Sequence, residues 1–312
     1  MNLIEKSGVY RLTMEQYHGQ PCEGPSISSS GLRTIFKESP AHYWLTSSLN
    51  PKAEPQDDTE AFTLGRAAHH LLLGEDAFST LFVVRPDKWD SWRTNDAKAW
   101  KAGQEDAGRT VLLPSQLEQI RGMARALAEH PLVEAGILNG EIEQSLLWRD
   151  KETGIWLKAR PDAIPNASGD FADLKTTVNY GFDLDRDVSK HRYDMQAAVT
   201  AMACREVLKR EMESFSLVFV GKKPPFCVEI LTLGKDDIAE AEKDVRSALH
   251  TFRWCIDHNN WFGPGGTQND ARYVHISEWE RKSAEFRREF LAREIAPPKT
   301  QQHEAADYLA AG

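Results

Sequence analysis

The sequence predicts an α/β protein in which a mixed central sheet is flanked by helices. Up to about residue 130, the hydrophobic residues mostly recur at helical spacing. From about residue 141, short runs typical of strands appear between turn residues, and further helical segments follow them. This succession of helices and strands indicates an α/β architecture.

The chain divides into three predicted parts. Residues 1–60 mix short helical signals with turns and are expected to form a helical lead-in packed on the core. Residues 61–294 are expected to form the core itself. Residues 295–312 lack a strong apolar face and are expected to form a flexible C-terminal tail.

The core has a predictable series of helices and strands. Helices are predicted near residues 60–74, 95–108, 113–131, 191–212 and 235–259 from the spacing of their apolar positions. The segments EIEQSLLWRD and TGIWLKARPDAIP predict a strand pair joined by a turn at Lys151 to Gly154. FADLKTT predicts a third strand, and SFSLVFVGKKPPFCVEILTL predicts two more around Lys222 to Pro225.

Composition limits the classes of function. No apolar run reaches the roughly 18 residues that a membrane span needs, and the N-terminus lacks a secretion signal. We therefore expect a cytoplasmic protein with no membrane partner. The four cysteines are scattered without a CxxC pair, which argues against a zinc ribbon or a disulfide framework.

The net charge of −9 is an apparent objection to nucleic-acid binding, because phosphates are bound by Lys and Arg. A local basic stripe can still bind nucleic acid on an acidic protein, and carboxylates that hold a metal add negative charge at the site itself. The candidate cations for such a stripe are Arg186, Lys190, Arg192, Arg205, Lys209, Arg210, Lys222 and Lys223.

The strongest chemical signal is the segment RPDAIPNASGDFADLKTT. Asp162 follows a predicted strand, Asp173 lies 11 positions later, and Lys175 follows two positions after Asp173. Alternate residues of a strand point to the same face, so Asp173 and Lys175 should project together. Two carboxylates can bind Mg²⁺, while a nearby ammonium orients water or neutralises developing charge, which suits phosphodiester hydrolysis. By itself, an ion pair on a surface strand explains the triplet equally well.

Three further residues are candidates for the same site. His69 lies on the predicted apolar helix beside His70, where a hydrogen-bonded core histidine is the commoner occurrence. Glu143 precedes the first strand of the pair, and Gln196 lies on the helix after the D-x-K strand. Viewed alone, each of these two residues is explained by ordinary solvent exposure.

The order of these motifs resembles a known family. GRAAHHLLL, GEIEQSLLW, ARPDAI, DLKTT and YDMQAA, with SSSGLRTIFKESPAHYW upstream, are similar to the C-terminal nuclease domain of RecE exonuclease (exodeoxyribonuclease VIII) and its phage and prophage relatives. The resemblance covers roughly residues 10–290. It implies a restriction-endonuclease-like, or PD-(D/E)XK, core.

The resemblance also implies roles for individual residues. His69, Asp162 and Asp173 would be ligands of Mg²⁺, with Mn²⁺ as the alternative ion, and Lys175 would be the catalytic lysine. Glu143 would support the metal or its water. Gln196 matches the glutamine of a QxxxY motif, but Thr200 occupies the tyrosine position. The cysteine set of iron–sulfur relatives is missing, so no cluster is expected.

The function implied by the resemblance is degradation of linear double-stranded DNA from its ends, in the 5′ to 3′ direction. The implied partners are DNA ends, identical subunits in a ring, with a tetramer favoured, and a RecT-type single-strand annealing protein. Two alternatives stay open: a structure-specific or nicking endonuclease on the same fold, and a non-catalytic DNA- or protein-binding module. Metal ligands gathered together favour an enzyme over a pure binding module.

Overall fold

The computed structural model describes residues 3–53, 60–73, 78–142, 144–267, 271 and 273–295. The chain forms two compact units, Met1–Gly266 and Thr267–Gly312. The candidate site lies in the first unit. Apart from Ile295, the predicted tail lies outside the described residues. None of the described helices is long and apolar enough to cross a membrane.

The first unit contains both helices and strands, and the second contains one described helix. The strands are β1 (Gly8–Arg11), β2 (Ser26–Ser28), β3 (Phe82–Val84), β4 (Thr110–Leu112), β5 (Glu141–Ile142), β6 (Gln144–Arg149), β7 (Trp156–Ala159), β8 (Ala163–Ile164), β9 (Asp170–Thr177), β10 (Ser214–Gly221) and β11 (Val228–Thr232). The helices are α1 (Met14–His18), α2 (Ser29–Lys37), α3 (Pro40–Thr46), α4 (Glu60–Leu72), α5 (Phe78–Leu81), α6 (Asn95–Asp106), α7 (Pro114–Ala128), α8 (Pro131–Glu134), α9 (Phe182–His191), α10 (Tyr193–Ala203), α11 (Lys235–His258) and α12 (Glu278–Glu294). A π-helical turn, Cys204–Leu208, continues α10.

The strands form two main sheets with mixed pairing. One sheet has the order β1-β6-β7-β2, and the other has the order β11-β10-β9. In the second sheet, β9 and β10 are parallel and β10 and β11 are antiparallel. The predicted fold class, a mixed sheet flanked by helices, is confirmed, and the predicted strand pair appears as antiparallel β6 and β7.

The N-terminal region contributes strands as well as the expected helices. β1 pairs with β6 in antiparallel register, and β2 pairs with β7 in parallel register. These strands have only four and three residues, and their partners lie more than a hundred residues away in the sequence. A strand this short is stabilised by its pairing and burial, so its local sequence carries little signal.

Both faces of the β9–β10 pair are buried, and this decides where the catalytic candidates point. Phe171 of β9 belongs to the hydrophobic core that includes α10 and α11, whereas Leu174 belongs to the core that includes α4 and α7. Because side chains alternate along a strand, Asp173 and Lys175 share the face of Phe171. They therefore point toward α10.

The turn between β6 and β7 is held by a buried carboxylate. Asp150 accepts hydrogen bonds from the backbone N–H and the hydroxyl of Thr153, at 2.9 and 2.8 Å, and forms an ion pair with Arg246 of α11. Burial alone would raise the pKa of Asp150, but the hydrogen bonds and the charge of Arg246 outweigh it and hold the pKa below its usual value.

We expect Asp150→Asn to lower the free energy of unfolding by about 2 kcal/mol at neutral pH, less than the roughly 3–5 kcal/mol for a fully buried pair, because the side chain of Arg246 is 36% exposed. Because the pKa of Asp150 is lower in the folded protein than in the unfolded chain, where it is about 3.9, the charged carboxylate stabilises the fold above that pH. This stabilisation is lost as the pH falls through the pKa of Asp150 in the folded protein. In urea unfolding at several pH values, the difference in the free energy of unfolding between wild type and variant should therefore become smaller below about pH 5. A constant difference would contradict this account.

Candidate active site

Four parts of the first unit bring the candidate residues together. Strand β9 carries Asp173 and Lys175, and α10 carries Gln196. Helix α4 carries His69. Asp162 lies in the short connection between β7 and β8. Asp162 and Asp173 thus lie on different parts of the chain, and the connection that carries Asp162 packs beside β9.

Asp162 is held by the backbone of β9 and faces His69. Its Oδ2 accepts a hydrogen bond from the N–H of Leu174 at 2.5 Å, and its Oδ1 lies 3.5 Å from His69 Nδ1. Burial would raise the pKa of Asp162, but His69, Lys175 and the Leu174 N–H outweigh it and lower the pKa. Burial would likewise lower the pKa of His69, but Asp162 raises it above its usual value.

Asp173 is buried against Lys175 and Gln196. Its Oδ1 accepts a hydrogen bond from Gln196 Nε2 at 2.6 Å, and its Oδ2 forms an ion pair with Lys175. Burial and repulsion by Asp162 raise the pKa of Asp173. Burial disfavours the charge on Lys175, but the two carboxylates outweigh it and raise the pKa of the lysine, which keeps it protonated at neutral pH.

His69, Asp162, Lys175 and Gln196 line a cavity of about 570 Å³ that is rich in cations, whereas Asp173 is buried behind this lining. The lining also includes the guanidinium groups of Arg33 and Arg160. Arg33 donates to the carbonyl of His191 at 2.9 Å, and Arg160 donates to the carbonyl of Leu12 at 2.6 Å. Neither arginine is paired with a carboxylate among the described residues, so both remain available for an anion.

Tyr193 lies beside the lysine. Lys175 Nζ is 5.1 Å from the centre of its ring, and the Arg33 guanidinium is 5.9 Å from the same ring. Tyr193 occupies the first position of α10, three residues before Gln196. Sequence reasoning missed both Tyr193 and Arg33, because nothing local distinguishes them from surface residues of their helices. The contact with Lys175 is visible only after β9 and α10 have packed.

The remaining candidates have different surroundings. His70 is buried and packs its ring against Phe82, with centroids 5.5 Å apart, and like His69 it lines the cavity. Thr200 is buried and donates a hydrogen bond to the carbonyl of Gln196 at 3.0 Å. Glu143 lies outside the described residues, and its predicted role stays a prediction.

The donor set suits a hard divalent cation. Two carboxylates and an imidazole offer the oxygen and nitrogen ligands that such ions accept. The partner of Asp173 Oδ2 among the described residues is Lys175, so this oxygen becomes available as a ligand if Lys175 moves. As the side chains stand, no group of three His, Cys, Asp or Glu residues in the described part of the chain is close enough together to hold a metal.

Several of the predicted basic-stripe cations are used inside the protein. Arg192 pairs with Asp194 and Asp244, and Arg205 pairs with Glu242. These ion pairs tie α10 and the π-helical turn to α11. The cations that line the cavity, rather than these arginines, therefore supply its positive charge.

Comparison with known proteins identifies the family and a similar fold. A family model described as a PDDEXK-like domain of unknown function (DUF3799) matches residues 28–271. The structure of a proposed exonuclease from Eubacterium rectale is similar with a TM-score of 0.59 at 15% identity, covering 88% of this chain and 99% of that one. A phage-related exonuclease from Haemophilus somnus 129PT has a TM-score of 0.34 at 10% identity, covering 75% of this chain and 96% of that one. None of the curated proteins matches the chain.

Proposed function

The chain belongs to this family of PDDEXK-like domains, and on that premise we propose that it is a metal-dependent nuclease that hydrolyses DNA at the site described above. The observation that carries the proposal is that His69, Asp162 and Lys175 meet at a cation-lined cavity, with Asp173 buried against Lys175. The sequence resemblance to RecE-type exonucleases points to the same chemistry. The proposed exonuclease from Eubacterium rectale supports the fold alone.

His69, Asp162 and Asp173 would hold Mg²⁺, or Mn²⁺ in its place, and Glu143 would support the metal or its water. The bound ion would polarise the scissile phosphate and lower the pKa of water. Lys175, protonated because of its carboxylate neighbours, would neutralise the charge that develops on the phosphate. Gln196 would position Asp173 through its 2.6 Å hydrogen bond. Arg33 and Arg160 would bind the phosphates of the DNA backbone.

The substrate that we propose is linear double-stranded DNA, degraded from its ends in the 5′ to 3′ direction. The resulting single strands would pass to an annealing protein of the RecT type. We further propose a ring of identical subunits, with a tetramer favoured, because a ring concentrates the sparse cations of a chain of net charge −9 around one channel. The RecE-like order of motifs supports each of these points.

The direct test of the proposed activity is release of acid-soluble nucleotides from linear duplex DNA by the purified protein. We expect release with Mg²⁺ or Mn²⁺ and none with EDTA, because the ion supplies the charge stabilisation that the protein side chains lack. Equal release in the presence of EDTA would contradict metal dependence. No release with any divalent ion, from a protein shown to be folded, would contradict the nuclease proposal.

His69 should set the metal requirement. We expect His69→Gln to raise the Mg²⁺ concentration for half-maximal hydrolysis by at least about tenfold, because even supporting residues of metal sites contribute 10–100-fold to affinity. A His42→Gln variant is the matched control. His42 lies in α3, forms a hydrogen bond with Ser39 at the start of that helix, and does not line the cavity. The same Mg²⁺ dependence in wild type and His69→Gln would remove His69 from the ligand set.

A further inference from the structure

Three tryptophans form an aromatic cluster outside the hydrophobic cores. The ring centroids of Trp89 and Trp100 are 5.6 Å apart, and those of Trp92 and Trp100 are 6.4 Å apart with an interplanar angle of 11°. Each of the three is half-buried. Within the described residues, none of them belongs to the three hydrophobic cores or to the residues packed against those cores. Their rings therefore remain partly accessible instead of filling the interior.

Cationic side chains lie over these rings. Lys88 Nζ is 4.2 Å from the centre of the Trp89 ring, while the Arg85 guanidinium and Lys101 Nζ are 5.4 and 5.6 Å from that of Trp92. Residues 85–101 contain five Lys or Arg and three Asp or Glu, in a chain whose net charge is −9, and Lys101 also pairs with Glu105 at 3.4 Å. Aromatic faces combined with locally positive charge are complementary to bases and phosphates together. We call Trp89, Trp92, Trp100, Arg85, Lys88 and Lys101 the tryptophan surface.

The tryptophan surface adjoins the candidate active site. Trp92 and Lys101 line a cavity of about 690 Å³ together with Thr110. The hydroxyl of Thr110 accepts a hydrogen bond of 2.8 Å from Arg66, which itself lines the cavity of the active site on α4. Arg66 precedes His69 by three residues on that helix. The Arg66–Thr110 hydrogen bond therefore joins a residue that lines the cavity of the active site to one that lines the cavity beside Trp92.

We propose that the tryptophan surface binds single-stranded DNA adjacent to the active site, with bases stacked on the tryptophans and phosphates paired with Arg85, Lys88 and Lys101. A single strand is the occupant that fits, because stacking on a protein ring requires bases whose faces are not covered by neighbouring pairs. This inference rests on the proposed function, since a nuclease acting on a duplex end produces such a strand at its site. The surface gives that strand a place to bind.

The test is binding of a fluorescent oligothymidylate, measured by anisotropy in EDTA so that no hydrolysis occurs. A length of about 20 nucleotides is sufficient, since a single-strand-binding domain of the OB-fold type contacts about 4–16 nucleotides. We expect a Trp89→Leu/Trp92→Leu variant to bind at least about tenfold more weakly than wild type, because each stacked base contributes substantially to affinity. Trp254→Leu is the matched control. Trp254 is 36% exposed and stacks on His258 of α11, away from the tryptophan surface.

A second variant, Lys88→Gln/Lys101→Gln, leaves the rings in place and guards against misfolding of the first. It should also weaken binding and should flatten the dependence of binding on salt, since it removes phosphate contacts. Wild-type affinity in both variants, or equal weakening of blunt duplex binding, would overturn the inference. DNA hydrolysis assayed separately distinguishes the two failures: oligothymidylate binding without hydrolysis contradicts only the proposed function, whereas hydrolysis with unaffected binding in the variants contradicts only this inference.

Discussion

Replacing Asp173 with Asn or Lys175 with Met is expected to lower the rate of DNA hydrolysis by at least about 10²- to 10³-fold, the loss seen when one group that stabilises transition-state charge is removed. Asp173 would lose its ability to bind the metal as an anion, and Lys175 would lose the ammonium that faces the cavity. DNA binding should persist, because Arg33 and Arg160 are untouched. The measurements are initial rates with saturating Mg²⁺ and binding in EDTA.

The matched control for these variants is Asp170→Asn. Asp170 begins the same strand, β9, but is exposed. Within the described residues, its carboxylate accepts a hydrogen bond from the hydroxyl of Ser214 and forms no ion pair. This variant should hydrolyse DNA at the wild-type rate. Circular dichroism and melting temperatures establish that each variant is folded. Wild-type rates in a folded Asp173→Asn or Lys175→Met protein would remove those residues from catalysis.

A closed circular plasmid is expected to resist the enzyme, whereas the same plasmid should be degraded once it has been linearised. The physical reason is that an end-dependent enzyme must admit a terminus to the cavity, and a closed circle offers none. Gel electrophoresis of both forms over time, at equal enzyme and Mg²⁺ concentrations, makes the comparison. Because phosphate contacts are screened by salt, degradation of the linear form should also slow steeply as salt is raised, with the metal requirement unchanged.

The same gel distinguishes the alternatives. Conversion of the closed circle to nicked or linear DNA at low enzyme concentration would identify a nicking or structure-specific endonuclease instead. Binding of both forms without any cleavage would identify a non-catalytic DNA-binding module. Degradation of linear duplexes that are blocked at both 5′ ends or at both 3′ ends then reports polarity, and we expect blocked 5′ ends to protect the DNA.

The strand signals in the sequence predicted much of the core because they are local. Alternation along β9 was sufficient to expect Asp173 and Lys175 on one face, and the structure places their side chains in contact. The match to the PDDEXK-like family confirms the restriction-endonuclease-like class. Strands β1 and β2 were missed because three or four residues cannot reveal partners that lie far away in the sequence.

The surroundings of each candidate could not be predicted in the same way. The hydrogen bond from the Leu174 N–H to Asp162 joins residues 12 positions apart and depends on the path of the connection after β7. The contact of Tyr193 with Lys175 depends on how α10 packs on the sheet. Both arise from tertiary packing, which residue spacing does not encode.

The most direct test of the central claim is a crystal structure of the protein with Mn²⁺, read from the anomalous signal of the ion. We predict one Mn²⁺ bound by His69, Asp162 and Asp173, with the Asp173 carboxylate turned from Lys175 toward the ion and His70 still packed on Phe82. An ion bound by His70 in place of His69, or bound elsewhere while Asp173 remains paired with Lys175, would contradict it.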